Sequence, residues 1–326
     1  MGFPVSIIES FLKLFKKSYV LMALFLLTTN SFALENHEVS QILNNSTVRI
    51  NIWENYNTDE QELLAGGSGI VINKYKDSYF ILTNAHVLLA QFCLLDAVDE
   101  NCENLFHDDS VSLLVDTTNS TFEYPVLEED FIFWQDTDLA VIALDSAKYE
   151  EMDNFQAIEI GGFFHPLQQV YSAGFPLVLG NNKDYRDIFY DSCVINAAIS
   201  DEESLIKLSN YSLVHDCRIA GGMSGGPLVS QDGKLIGING LIGDVILEQG
   251  LLGKITIADF DNLNYAYAIF IYDLYLEVLL TNSGNFNPQS KFYNFLPRLS
   301  KKEHLEFYDY LEQFDFVESL QNKLFK

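Results

Sequence analysis

The chain reads as an all-β protein, a barrel or sandwich closed by a C-terminal helix. Three observations carry that reading. Short apolar or alternating runs recur along the 326 residues, each bounded by turn residues. Helical periodicity is scarce before residue 300. The stretch 221–238 spells glycine loop, strand, tight turn and strand.

Residues 1–33 come first and read as a secretory signal. Lys13, Lys16 and Lys17 precede the apolar run 19–27, and Ser31-Phe32-Ala33 places small residues where a signal peptidase reads. Nine apolar residues are too few for a bilayer span, which needs about 20. The mature chain is therefore expected to begin at Leu34, secreted or periplasmic and off the membrane. Cys93, Cys102, Cys193 and Cys217 all fall in that mature part. An even number in an oxidising compartment implies disulfides. Of three possible pairings, Cys93–Cys102 with Cys193–Cys217 staples a loop within each half.

The strands then follow in order. Residues 48–53 alternate, an acidic loop runs to Glu62, and Gly66-Gly67-Ser68-Gly69 leads into the apolar 70–72. A turn at Lys76-Asp77-Ser78 introduces 79–82, and 111–115, 121–127 and 139–144 continue the series. A less regular stretch around Gly161, Gly162 and Pro166 precedes a second set. That set is 170–173, 193–199, 212–214, the hairpin 227–238, and 265–271. The division is thus 34–155 and 156–280, followed by a linker and helical tail over 281–326. In the tail, Ser300-Lys301-Lys302-Glu303 fits a capping box, and Leu305, Tyr308 and Leu311 recur at helical spacing. The tail is expected to pack against the barrel.

Apolar residues make up 48% and charged residues 20%, an ordinary globular balance. The net charge is −27. A surface this negative repels phosphate backbones and anionic lipid, which removes nucleic-acid and membrane-surface functions. No cysteine–histidine spacing fits a zinc site, and no cofactor or metal is implied.

Chemistry gathers at three places. His86 directly follows an apolar strand in Leu82-Thr83-Asn84-Ala85-His86-Val87. Asp138 stands at the mouth of another in Asp136-Thr137-Asp138-Leu139-Ala140-Val141. Ser224 lies in Gly221-Gly222-Met223-Ser224-Gly225-Gly226-Pro227, where glycines let backbone approach a substrate closely. A serine hydroxyl needs a base to attack, and histidine suits that role near neutral pH. A carboxylate then fixes the imidazole tautomer. Alone, each has a plain reading: a packed histidine, a strand-edge charge, a tight turn. Together they read as a nucleophile, its base and its acid, with Asp136 as the alternative acid.

These segments resemble the trypsin-like (chymotrypsin-fold) serine peptidases, especially bacterial exported members. The resemblance spans about residues 48–271, and Gly-x-Ser-Gly-Gly-Pro is its most specific motif. It implies two six-stranded antiparallel β-barrels, the first supplying His86 and Asp138 and the second Ser224. It implies endopeptidase activity on proteins or peptides through an acyl-enzyme, in a monomer. The amides of Gly222 and Ser224 would form the oxyanion hole. Arg218, six residues before the serine, and Gly240 would line the specificity pocket, Arg218 favouring acidic side chains.

One departure stands out. Animal members carry an acid immediately before the nucleophile, which binds a freed N-terminus on activation. Met223 cannot make that ion pair, so no such zymogen switch is expected. Two rival readings share the motif. Gly-x-Ser-x-Gly also marks the α/β-hydrolase elbow, but Pro227 and the following hairpin oppose the helix that fold requires, and only His304 follows the serine. A protease fold kept as a catalytically silent binding module is the other.

Overall fold

The computed structural model describes residues 36–89, 110–118, 123–134, 136–146, 155–161, 164–165, 167–177, 186–198, 211–242, 266–280, 291–292 and 294–311. The expected signal segment, the Cys93–Cys102 pair and the expected 282–288 linker lie outside these residues. Strands dominate, as the alternating and short apolar runs require.

Seven of them form one antiparallel sheet: β1 (Thr47–Glu54), β2 (Glu62–Tyr75), β3 (Ser78–Thr83), β4 (Val111–Asp116), β5 (Tyr124–Val126), β6 (Phe131–Trp134) and β7 (Leu139–Asp145). Their order is β5-β4-β1-β2-β3-β7-β6. Four strand spacings of ~4.8 Å would put β5 about 19 Å from β3 in a flat sheet. The Phe155 ring nevertheless lies 5.6 Å from Tyr124 on β5 and 5.4 Å from Tyr79 on β3. One ring reaches both because the sheet curls around it. The expected double-barrel arrangement is present, its first half a curled half-barrel of seven strands rather than six that stays open among the described residues. The extra strand is β6, an aromatic run absent from the expected series.

Six strands close a true barrel: β8 (Gln169–Gly174), β9 (Phe189–Ala198), β10 (Leu213–His215), β11 (Pro227–Ser230), β12 (Leu235–Ile242) and β13 (Ala266–Phe270), ordered β10-β13-β12-β11-β8-β9. Its core includes Val170, Leu228, Ile238 and Ile269, and it continues onto Ile70, Phe80, Leu82 and Val141 of the curled sheet. The opposite face of that sheet, with Ile50, Val71, Ile81 and Ile142, forms a second core. β3 and β7 are thus covered on both faces, which is why their sequences read as continuous apolar runs rather than alternation.

Four α-helices, with a short 3-10 turn at Glu128–Asp130, complete the described fold: α1 (Asn36–Ser46), α2 (Ala85–Leu88), α3 (Ile271–Leu280) and α4 (Lys301–Leu311). α1 buries Val39 and Leu43, and its asparagines reach both sheets. Asn36 accepts from Tyr171 at 2.8 Å, and Asn44 from Tyr190 at 2.9 Å and Thr118 at 3.0 Å. α3 continues straight from β13 through one unbroken apolar run, where periodicity alone does not separate strand from helix. In α4 the capping box forms as read: Ser300 N–H donates to Glu303 Oε2 at 2.7 Å, and Glu303 N–H to Ser300 Oγ at 3.3 Å. Its packed face differs in part from the one expected: Tyr308 packs against the core, but Leu305 does not. Leu305 is 67% exposed, whereas Phe307 packs on Tyr272 and Tyr275. The Lys234–Glu303 ion pair, at 3.2 Å, turns the helix that way.

Candidate active site

β3 and β7 pair with Thr83 opposite Ala140. That register fixes the next step, since His86 lies three residues past one partner and Asp138 two before the other. Asn84 is extended, and the single turn α2 starts at Ala85. The Ala85 N–H and the Asn84 side-chain amide both donate to the Asp138 carbonyl, each at 3.1 Å. The His86 N–H donates to Asp138 Oδ1 at 2.8 Å, and its ring Nδ1 lies 2.7 Å from Oδ2. A carboxylate against Nδ1 selects the tautomer with the proton there, leaving Nε2 as the acceptor. Asp138 is buried and adopts φ 51°, a left-handed conformation that aspartate tolerates better than most residues. Asp136 is exposed on the same turn. The structure thus brings Asp138, and not Asp136, to the histidine.

Ser224 enters from the barrel. Its loop is folded by Met223 N–H on the Ala220 carbonyl at 2.9 Å and Gly226 N–H on the Met223 carbonyl at 3.0 Å. Gly222 and Gly225 hold φ of +94° and +84°, which glycine adopts without a Cβ penalty. A Cβ on Gly225 would also overlap the Ser68 carbonyl and Thr83 Oγ1, so the loop seats directly against β2 and β3. The Ser68 N–H donates to the Ser224 carbonyl at 2.8 Å. The Ser224 hydroxyl donates to the Gly240 carbonyl at 3.1 Å and makes no hydrogen bond with His86.

The expected oxyanion donors, the amides of Gly222 and Ser224, belong to this loop. Leu177 N–H holds the Gly221 carbonyl at 2.8 Å. A trans peptide points its N–H opposite to its C=O, so the Gly222 N–H faces away from Leu177. Neither the Gly222 nor the Ser224 amide donates to another described residue.

Gly240 occupies the bulge where the β12–β13 register shifts between Asn239 and Leu241. Bulges re-aim groups beside active sites, and here the carbonyl of Gly240 turns to Ser224. Arg218 has its backbone N–H and Nε on Asp191 Oδ2, at 2.9 and 3.2 Å, and stacks on Phe189 at 5.1 Å. Its charge already has a carboxylate partner, a constraint the sequence did not reveal.

One residue escaped the sequence reading. Tyr211, just before β10, donates its hydroxyl to Asp138 Oδ2 in a very short hydrogen bond. Burial, and then the Asp138 charge, push its ionisation well above the usual phenol range, so it remains a donor at any working pH. Nothing in the local sequence marks it, because its partner is 73 residues away. Nearby, Cys193 and Cys217 are joined as expected. His215 Nδ1 lies 3.9 Å from Cys193 Sγ, but sulfurs bonded to each other are not thiolate ligands.

The acid–histidine pair thus stands on the curled sheet and the glycine-cradled serine on the closed barrel. The family identification follows. The model of the trypsin-like peptidase domain matches residues 67–238, just over half of the chain. The chain belongs to that family. Among solved structures it is similar to an HtrA-type protease, AlgW with tripeptide, at 20% identity and a TM-score of 0.47. That similarity covers 76% of this chain and 63% of the other. No curated protein matches the chain.

Proposed function

We propose that this protein is an exported endopeptidase that cleaves peptide bonds through His86, Asp138 and Ser224 and an acyl-enzyme intermediate. The observation that carries the reading is the double grip of Asp138 on His86, through ring and backbone, beside a serine loop with two undonated amides. In the resting state the Ser224 proton rests on the Gly240 carbonyl. As substrate binds, the hydroxyl turns to His86 Nε2, which takes the proton while Oγ attacks the scissile carbonyl. Asp138 stabilises the imidazolium that forms, and Tyr211 holds Asp138. The tetrahedral oxyanion is received by the Gly222 and Ser224 amides, each donor contributing about 3 kcal/mol to the transition state. His86 then protonates the leaving amine, and water repeats the sequence to release the acid.

Export is supported by the basic–apolar–small pattern of residues 1–33 and by the Cys193–Cys217 disulfide, a bond suited to an oxidising compartment. The specificity pocket is assigned to the surroundings of Arg218 and Gly240. With Arg218 held by Asp191, a preference for acidic side chains requires that pair to share its charge with substrate. Incubating the purified chain with a diverse peptide library tests the function. Cleavage by wild type and none by Ser224→Ala supports the peptidase. Intact peptides with both, together with measurable peptide binding, would instead favour the silent binding module.

A further inference from the structure

We infer that Arg186, together with Ser68, is the positioning residue that keeps the oxyanion hole formed. This inference rests on the peptidase reading above. Arg186 lies three residues before β9 and is only 2% exposed. Its guanidinium sits between the two sheets. Nη2 donates to the Ile50 carbonyl at 2.8 Å, Asn51 Oδ1 at 2.9 Å and the Gly67 carbonyl at 3.0 Å, all from β1 and β2. Nη1 donates to the Phe175 carbonyl at 2.5 Å and the Gly222 carbonyl at 3.4 Å, both from the barrel side.

Ser68 completes the arrangement. Its hydroxyl donates to the same Gly222 carbonyl at 2.8 Å and accepts from the Phe175 N–H at 2.9 Å. The Gly222 carbonyl is therefore held by two donors, those of its neighbours Gly221 and Met223 by the N–H groups of Leu177 and Gly226, and the Ser224 carbonyl by that of Ser68. Gly222 needs this restraint. A glycine at φ +94° has alternative conformations open to it. The pinned carbonyl fixes one side of the residue whose N–H is a hole donor, while Leu177 fixes the other through Gly221. The space is also committed: a Cβ on Gly222 would lie 2.7 Å from Nη1, and one on Gly66 2.8 Å from the guanidinium carbon.

The position of Arg186 is itself secured. Arg49 Nη1 donates to the Arg186 carbonyl at 2.7 Å, while Nε and Nη2 of Arg49 grip Asp116 at 2.8 and 2.5 Å. Only a planar fork serves acceptors spread over both sheets, and a lysine ammonium does not. Met223 leaves the loop without an ion pair of its own, and the inter-sheet guanidinium takes over that task.

The test is steady-state kinetics of full-length Arg186→Lys and Ser68→Ala on a library peptide that wild type cleaves. A peptide aldehyde of the same sequence is the second probe, since its hemiacetal with Ser224 occupies the oxyanion hole. Arg186→Lys is expected to lower kcat on the order of 100-fold, as loss of an oxyanion donor does, with KM nearly unchanged. Aldehyde affinity should fall by a similar factor while circular dichroism stays native. Ser68→Ala should cost about tenfold on both readouts, and the double variant less than the product, because both act on one carbonyl. Wild-type kcat and aldehyde affinity in both variants would overturn the inference. So would a lowered melting temperature with full activity per folded molecule. If Arg186→Lys fails to fold, Ser68→Ala decides alone, and unchanged values in it sink the proposal. A wild type that neither cleaves peptides nor reacts with a fluorophosphonate overturns the peptidase reading instead, and this inference falls with it.

Discussion

The Tyr211 hydroxyl stands where a side chain on Gly240 would be. A Cβ built on Gly240 overlaps the phenolic oxygen, and that oxygen donates to Asp138 Oδ2. The same Gly240 offers its carbonyl to the Ser224 hydroxyl. A bare glycine in a bulge thus serves both residues, admitting the tyrosine that holds Asp138 and accepting the hydroxyl of Ser224.

Tyr211→Phe removes that donor and little volume. A hydrogen bond to a charged group is worth about 1.5–3 kcal/mol. The expected result is a kcat about 10- to 100-fold lower with KM within twofold, read from initial rates on a cleaved peptide.

Gly240→Ala forces the tyrosine aside. Overpacking of this kind costs about 1–3 kcal/mol. Denaturant titration should show that loss, and activity should fall at least as far as in Tyr211→Phe. Combining the two substitutions should cost less activity than their sum, since both act through the one tyrosine that holds Asp138.

The two acids separate cleanly by rate. Asp138→Asn leaves the histidine gripped by a group that no longer selects its tautomer, and kcat is expected to fall about 10⁴-fold. Asp136→Asn changes an exposed turn residue and should keep kcat within about threefold.

Burial holds the His215 imidazole at a pKa of about 4, below its ordinary 6.5, although Asn239, Asp216 and Asp191 pull the other way. The unfolded chain therefore takes up a proton near pH 6.5, and the folded chain only near pH 4. Stability from the neutral form is complete above pH 6.5 and is lost as pH falls toward 4. Urea titration at pH 7.5 and 4.5 should show this group contributing about 2–3 kcal/mol of the loss, with a shallower pH dependence in His215→Asn.

Much of the fold was legible because its signals are local. The hairpin after Ser224 has its turn residues in place, and the Ser300–Glu303 capping box lies within four residues. The three candidate site segments were legible for the same reason, each carrying its flanking pattern with it. What failed to show was set by tertiary geometry. Whether the first sheet closes depends on where Phe155 lodges between Tyr79 and Tyr124. α3 hid in an apolar run shared with β13. Leu305 has the helical spacing of a core residue, yet the Lys234–Glu303 pair turns it to solvent. Tyr211 reaches Asp138 across 73 residues, and Arg186 reaches Gly222 across 36 and Gly67 across 119. No motif records such distances. Arg218 was read for its charge, but the sequence did not disclose that Asp191 already engages it.

The most direct test of the central claim is labelling with a fluorophosphonate, which reacts only with a serine activated by its histidine. Peptide mapping by mass spectrometry of the purified chain should find one adduct, on Ser224, absent in Ser224→Ala and formed at least 100-fold more slowly in His86→Ala. An unlabelled wild type, or an adduct that forms as fast without His86, would contradict the account.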